Sequence, residues 1–346
     1  MSEYTIKKTT NLEKECAKEL ELEISVETLN SAKIKTLKRI GAKADIQGFR
    51  KGHVPEKAVM EKLGEAGVLE ETINDWLNDN IVKILEKEAP EAIAFPKITI
   101  KKAVPGNPVE LSLFISLRPK LTLPDYKTIA SAKNKKKSPE EKVEEKEIDE
   151  AILRLRKYAY RAVNPNAEKE IKDEELPALT DEFAVSVGGG KTVAELRERV
   201  SKDLLEEKKT KAKEKQRLEI IEEILKKTDG ILPAIIIDDE VDKMEAEFEA
   251  DVKRMGLSFD DYVKSTKKTI EEIRKDWRGT AEKRAKVNLI LAEIRKLEKI
   301  EADKEKVDHE MKHLLEHHKD IDQKNARAYI ERMLGNEKVF EFLGNQ

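Results

Sequence analysis

Gly48-Phe49-Arg50-Lys51-Gly52-His53-Val54-Pro55 is the stretch on which the reading of this chain turns. Two glycines and a proline frame one aromatic ring and two permanent cations. Glycine admits positive φ and proline cannot continue a hydrogen-bond ladder, so the frame predicts a tight, exposed turn. A folded core gains little from holding Phe49 out on such a loop, which points to a partner. Between positions 33 and 57, eight Lys/Arg stand against only Asp45 and Glu56, in a chain whose net charge is −3. A basic island on a slightly acidic protein is a docking surface for a phosphate backbone or an acidic protein face.

Working outward, residues 4–10 and 19–24 alternate in the manner of half-buried strands. Ser25 then precedes a helix with Val26, Leu29, Ala32, Leu37 and Ile40 near one face, and Gly41 stops it. Past the loop, Pro55 opens a short helix and residues 68–88 form a longer one, ended by Pro90. Strands at 98–103 and 109–117 flank Pro105-Gly106-Asn107-Pro108, a hairpin signal. The expectation is a compact α+β domain over residues 1–126.

Gly-Phe-Arg-Lys-Gly-x-Val-Pro after a basic helix resembles the ribosome-docking signature of the trigger factors, bacterial chaperones at the nascent-chain exit. The order of elements to Tyr126 is similar as well. The resemblance implies that Phe49, Arg50 and Lys51 are a tip that meets a large-subunit ribosomal protein beside the tunnel mouth. Gly48 and Gly52 would hold that tip, and Arg39 and Lys43 would meet ribosomal RNA. Where the family usually carries lysine, this chain has His53, which removes one fixed charge.

Residues 133–147 hold eleven charged side chains in fifteen, so 127–138 is expected to be a charged linker. Ser138-Pro139-Glu140-Glu141 reads as a helix start, with Ile148, Ile152, Leu155 and Tyr158 continuing the helix to about residue 163. In the family a prolyl-isomerase domain is commonly inserted next. Here only a short remnant, 164–176, separates that helix from Leu176-Pro177-Ala178-Leu179-Thr180-Asp181-Glu182-Phe183-Ala184, where the resemblance resumes. An independent domain needs on the order of 50 residues, so no isomerase fits.

The rest, 177–346, is expected to be a helical, substrate-cradling domain. Thr192-x-x-Glu195 and Thr269-x-x-Glu272 are capping boxes. Residues 193–228 lack Gly and Pro, with apolar stripes at Val193, Leu196, Val200 and Leu204 and again at Leu218, Ile221 and Leu225. Between the stripes, 206–217 is almost wholly polar. Further amphipathic helices are predicted at 240–255 and 269–298, the latter through Ile270, Ile273, Trp277, Leu291, Ile294 and Leu297.

The chain has 346 residues, 40% charged, 38% hydrophobic and 5% aromatic. Two or three domains and much solvated helical surface follow from that mix. The single Cys16 forms no internal disulfide and suits a reducing compartment. The N-terminus lacks a signal-peptide pattern, and no apolar run approaches the roughly 18–20 residues of a membrane helix, so a cytoplasmic location is expected.

One motif competes: His309-Glu310-Met311-Lys312-His313 fits the H-E-x-x-H of zinc hydrolases, with His317 a further turn on. Against that reading, Lys312 and Glu316 flank the imidazoles and no convincing sheet precedes the helix. Gly188-Gly189-Gly190-Lys191-Thr192 lacks the spacing of a phosphate-binding loop and reads as a turn before a capped helix. The sequence thus predicts an α+β ribosome-binding domain followed by an elongated, mostly α-helical domain with protruding arms. It would act as an ATP-independent chaperone with no cofactor, metal, nucleotide or membrane. Its partners would be the large ribosomal subunit (protein and ribosomal RNA) and nascent or unfolded polypeptides, met through Met255, Phe259, Trp277, Met311 and Phe340. The alternatives are a helical scaffold with a basic nucleic-acid-binding domain, and an H-E-x-x-H hydrolase.

Overall fold

The computed structural model describes residues 4–45, 49–50, 52–135, 142–164, 175–318 and 321–346. The chain divides into two compact units, each discontinuous in sequence: 1–122 with 228–289, and 123–227 with 290–346. This grouping differs from a division at Tyr126 and Pro177.

The first unit opens with a four-stranded antiparallel sheet in the order β1-β2-β4-β3, from β1 (Thr5–Leu12), β2 (Ala17–Ile24), β3 (Lys97–Lys102) and β4 (Val109–Ser116). Period-two alternation puts Leu20, Leu22 and Ile24 of β2 and Val109, Leu111, Leu113 and Ile115 of β4 on one face, all buried. Two helices cover that face, α1 (Val26–Gly41) and α2 (Glu56–Glu88), supplying Leu29, Ile73, Trp76, Leu77, Ile81 and Ile84. Ser25 caps α1 by accepting a hydrogen bond from Thr28 N. Gly64, at φ 72° and ψ 168°, breaks α2, so the longer segment begins just past Gly64 rather than at Val68. The cover stops short of the sheet edge, and every residue of β3 is exposed.

The same unit holds a helical section: α7 (Ala234–Arg254), α8 (Phe259–Ser265) and the first part of α9 (Ile270–Leu297). Pro233 precedes α7, so this helix starts six residues before the expected 240. Leu232, Ile237 and Val241 pack on Ala281 and Ala285 of α9, whose small side chains allow close approach. Outside that seam Arg274 pairs with Asp242 and Glu245, Arg278 with Asp238, and Arg284 with Glu240 and Glu247. Glu240 is buried and takes Arg284 at 3.1 Å. The reciprocal expected cap at Thr269 and Glu272 is formed.

Among the described residues, the regular elements of the second unit are helices: α3 (Tyr126–Asn134), α4 (Glu145–Val163), α5 (Asp181–Ser186), α6 (Val193–Lys227), α10 (Lys304–His317), α11 (Gln323–Gly344) and the end of α9. The charged linker expected at 127–138 is in fact mostly α3. Asp125 caps it by accepting from Thr128 N at 3.1 Å, and Ala130 is fully buried where α3 meets α6 and α11. Ser138 and its neighbours lie outside the described residues, but α4 itself starts at Glu145, where Glu147 accepts from Glu144 N at 2.8 Å.

Ile148, Ile152, Phe183, Ala184, Leu196 and Val200 form one core. Further along α6 the buried residues are Ile220, Ile221 and Ile224, while Leu218 is 60% exposed; the stripe is rotated from the one expected at Leu218, Ile221 and Leu225. Leu297, expected to be buried on α9, is also exposed.

Candidate functional site

The loop between α1 and α2 is pinned at both ends. Gly41 ends α1, and a Cβ there would stand 2.6 Å from Val54 O, so only glycine lets the returning chain pass. Val54 N donates to Gly41 O at 3.4 Å and Gly52 N to Ala44 O at 3.3 Å. Gly52 sits at φ 81°, the left-handed region that other residues rarely adopt. Val54 then inserts among Leu37, Val59 and Val68, and Pro55 at φ −63° starts α2. Between these anchors Phe49 is 44% exposed and Arg50 is exposed, with His53 N donating to Arg50 O at 2.9 Å. Gly48 and Lys51 lie outside the described residues.

The cations around the loop are not equivalent. Lys43 is exposed. Arg39 instead points into a cluster: its Nε donates to Asp75 Oδ2 at 2.7 Å and its Nη2 to Glu71 Oε2 at 2.6 Å, while Thr36 Oγ1 also donates to Asp75. Hydrogen bonds to Asp75, then Glu71, hold the guanidinium pKa above its ordinary value. Arg39 therefore ties α1 to α2, and Asp75 and Glu71 answer its charge within the domain.

The five apolar contacts expected for clients separate by environment. Met255 is 66% exposed and Leu257 is exposed, on either side of Gly256 at φ 76° between α7 and α8. In the same section Phe248 gathers Phe259, Tyr262 and Trp277 edge-on at centroid distances of 5.8, 5.4 and 5.3 Å. Phe340 is half-buried under the Arg217 guanidinium at 5.8 Å. Met311 is a correction: it is buried with Val307 and Ile330, a core residue rather than a contact surface.

Sequence reasoning missed Phe95, which is 73% exposed. It lines a shallow apolar depression with Val82, Leu85, Pro90 and Ile93. The signal was present, since Phe95 precedes Pro96 on a connection, as Phe49 stands in a glycine-proline frame.

The imidazoles of the H-E-x-x-H motif lie on the exposed side of α10. Among the described residues no group of three or more His, Cys, Asp or Glu is placed to hold a metal ion. No helix among them is long and apolar enough to cross a membrane.

Residues 6–155 match the family model described as bacterial trigger factor protein, and residues 192–344 match that for the bacterial trigger factor C-terminus. The chain belongs to the trigger factor family. A trigger factor of Clostridium botulinum (strain Kyoto / Type A2) is 26% identical over 97% of each chain, and one of Carboxydothermus hydrogenoformans is 23% identical over 91% of this chain and 92% of that one. A solved structure of a trigger factor chaperone, concerned with promiscuous substrate recognition in folding and assembly, superposes with a TM-score of 0.56 at 18% identity. It covers 98% of this chain and 99% of its own, a likeness of fold. The alignment to the C. botulinum trigger factor runs over 420 positions, against 346 residues here, so that relative carries sequence which this chain lacks. Only the residues from Asn164 to Thr180 separate α4 from α5 in this trigger factor, too few for an inserted prolyl-isomerase domain.

Proposed function

We propose that this chain is an ATP-independent, ribosome-associated chaperone that docks through Phe49, Arg50 and Lys51 beside the nascent-chain exit and shields emerging polypeptides. The observation that carries the reading is an exposed ring and cation on a loop whose two ends are pinned, because folding alone gives no reason to fix an apolar side chain in solvent. One ring that becomes buried in a ribosomal protein, with charge-assisted bonds beside it, contributes roughly 1–3 kcal/mol per contact. Lys43 and the basic face of α1 add long-range attraction to ribosomal RNA, which salt screens.

Clients would be held at exposed Met255 and Leu257, at the aromatic group around Phe248, and at Phe340. Burial of client apolar surface contributes about 25 cal/mol per Å², offset by the entropy of holding an unfolded chain. Such binding is weak and brief and needs no nucleotide. Replacing Phe49, Arg50 and Lys51 together with Ala should abolish co-sedimentation with ribosomes while helical circular dichroism and suppression of aggregation persist. Undiminished pelleting by the triple variant would overturn the docking assignment.

A further inference from the structure

The three histidines at i, i+4 and i+8 on α10 remain outside this function, and their geometry singles out one pair. His313 and His317 bring their ring centroids to 5.0 Å with planes at 62°. His309 is turned elsewhere, with its Nδ1 3.7 Å from Glu310 Oε1. The opposite side of α10 is committed to packing, through Val307 and Met311 against Ile330 of α11. His313 and His317 thus face solvent, one turn apart at the C-terminal end of the helix.

We propose that His313 and His317 form a two-nitrogen clamp for one borderline divalent transition-metal ion such as Zn²⁺, Ni²⁺ or Cu²⁺. A metal–nitrogen bond is about 2.0–2.1 Å long, and the ring centre lies about 1.1 Å behind the nitrogen, which puts the ion about 3.2 Å from each ring centre. Two rings meeting at such an ion at about 90–110° have centres about 4.5–5.2 Å apart. The observed separation falls within that span, so the rings reach one ion by torsional adjustment without moving the helix.

Imidazole pairs favour Cu²⁺, Ni²⁺ and Zn²⁺ over Mg²⁺ or Ca²⁺, which require oxygen ligands. With no third protein donor placed nearby among the described residues, water completes the coordination. The site binds an ion and is not a hydrolase centre. The clamp also differs from the pair that the H-E-x-x-H pattern names. Because the chelate spans the last turn of α10, the ion stabilises that turn by binding only the folded form.

The test uses the full chain without an affinity tag, titrated calorimetrically with NiCl₂, ZnCl₂ and MgCl₂. One Ni²⁺ or Zn²⁺ per chain is expected, weakened at least tenfold in His313→Ala and in His317→Ala and unchanged in His309→Ala and His318→Ala, with no heat from Mg²⁺. The four positions are exposed, and circular dichroism verifies that each variant remains helical. Electron paramagnetic resonance of the Cu²⁺ form should show two equatorial nitrogens in the parent chain and one in either clamp variant. Unaltered affinity in both clamp variants, or an equal loss in His309→Ala, would overturn the assignment.

Discussion

Arg39 and Arg50 are both arginines in the same basic stretch, yet they should fail in opposite ways when replaced. Arg39→Ala removes the link from α1 to Glu71 and Asp75 and should lower stability by about 0.5–1 kcal/mol in urea unfolding, leaving ribosome pelleting nearly unchanged. Arg50→Ala should leave the unfolding midpoint in place and weaken pelleting. Gly41→Ala should do both. Its Cβ would press on the Val54 carbonyl, so a loss of about 1–3 kcal/mol is expected, along with weaker ribosome binding despite an intact tip. The exposure of Phe49 and Arg50 was legible because glycine and proline announce a turn and an aromatic ring is out of place there. The role of Arg39 was not, because sequence gives a cation's presence but not the acids that reach it from 32 and 36 residues away.

At the scale of elements, caps and breakers were read well. Ser25, Thr192 and Thr269 accept with their hydroxyl oxygens from backbone N–H groups of the first helical turn, while Gly41 and Pro55 act through backbone conformation, and both effects are local. Helix α3 was hidden in a charged run, since its evidence is one capping Asp125 and a single buried Ala130 whose partners come from α6 and α11. The rotated stripe on α6 has the same origin: Leu and Ile populate more of that helix surface than its neighbours cover.

Helix α3 also carries a pH signature. Tyr126 Oη donates to Glu298 Oε1 at 2.5 Å, and burial first, then that bond, pushes the phenol up to about 12. A phenol that holds its proton more tightly when folded contributes stability below its unfolded value near 10, and that contribution is lost as pH rises toward 12. Tyr126→Phe should flatten this alkaline loss in a series of urea midpoints, and one slow tyrosine should vanish from the tyrosinate absorbance titration. Glu298 is held below its ordinary value by Tyr126 and then Lys127, so its contribution instead fades as pH falls through the carboxylate range.

For the whole molecule, the short connection between α4 and α5 separates two activities that are easily conflated. Rotation about an X–Pro bond must cross a barrier of about 20 kcal/mol, which calls for a built pocket, whereas holding an apolar segment calls only for surface. One preparation should therefore suppress aggregation without accelerating a proline-limited refolding phase; acceleration at catalytic concentrations would refute this. The sheet carries a second consequence for the molecule. Its two outer strands, β1 and β3, each slip register at a lysine, Lys7 and Lys101, and each lysine is tied back to β2 through Glu23 or Glu21. Flat, uncharged borders recruit foreign strands, and the function proposed above would bring this sheet near many unpaired ones. Replacing Lys97, Lys101 and Lys102 with Thr would leave Ile98 and Ile100 along a smooth border and should produce concentration-dependent, thioflavin-binding assemblies where the parent chain gives none. A variant that stays unassembled at every concentration would show that the lysines are dispensable there. On this view the slipped registers and paired lysines are a safeguard against strand addition at the sheet's own borders.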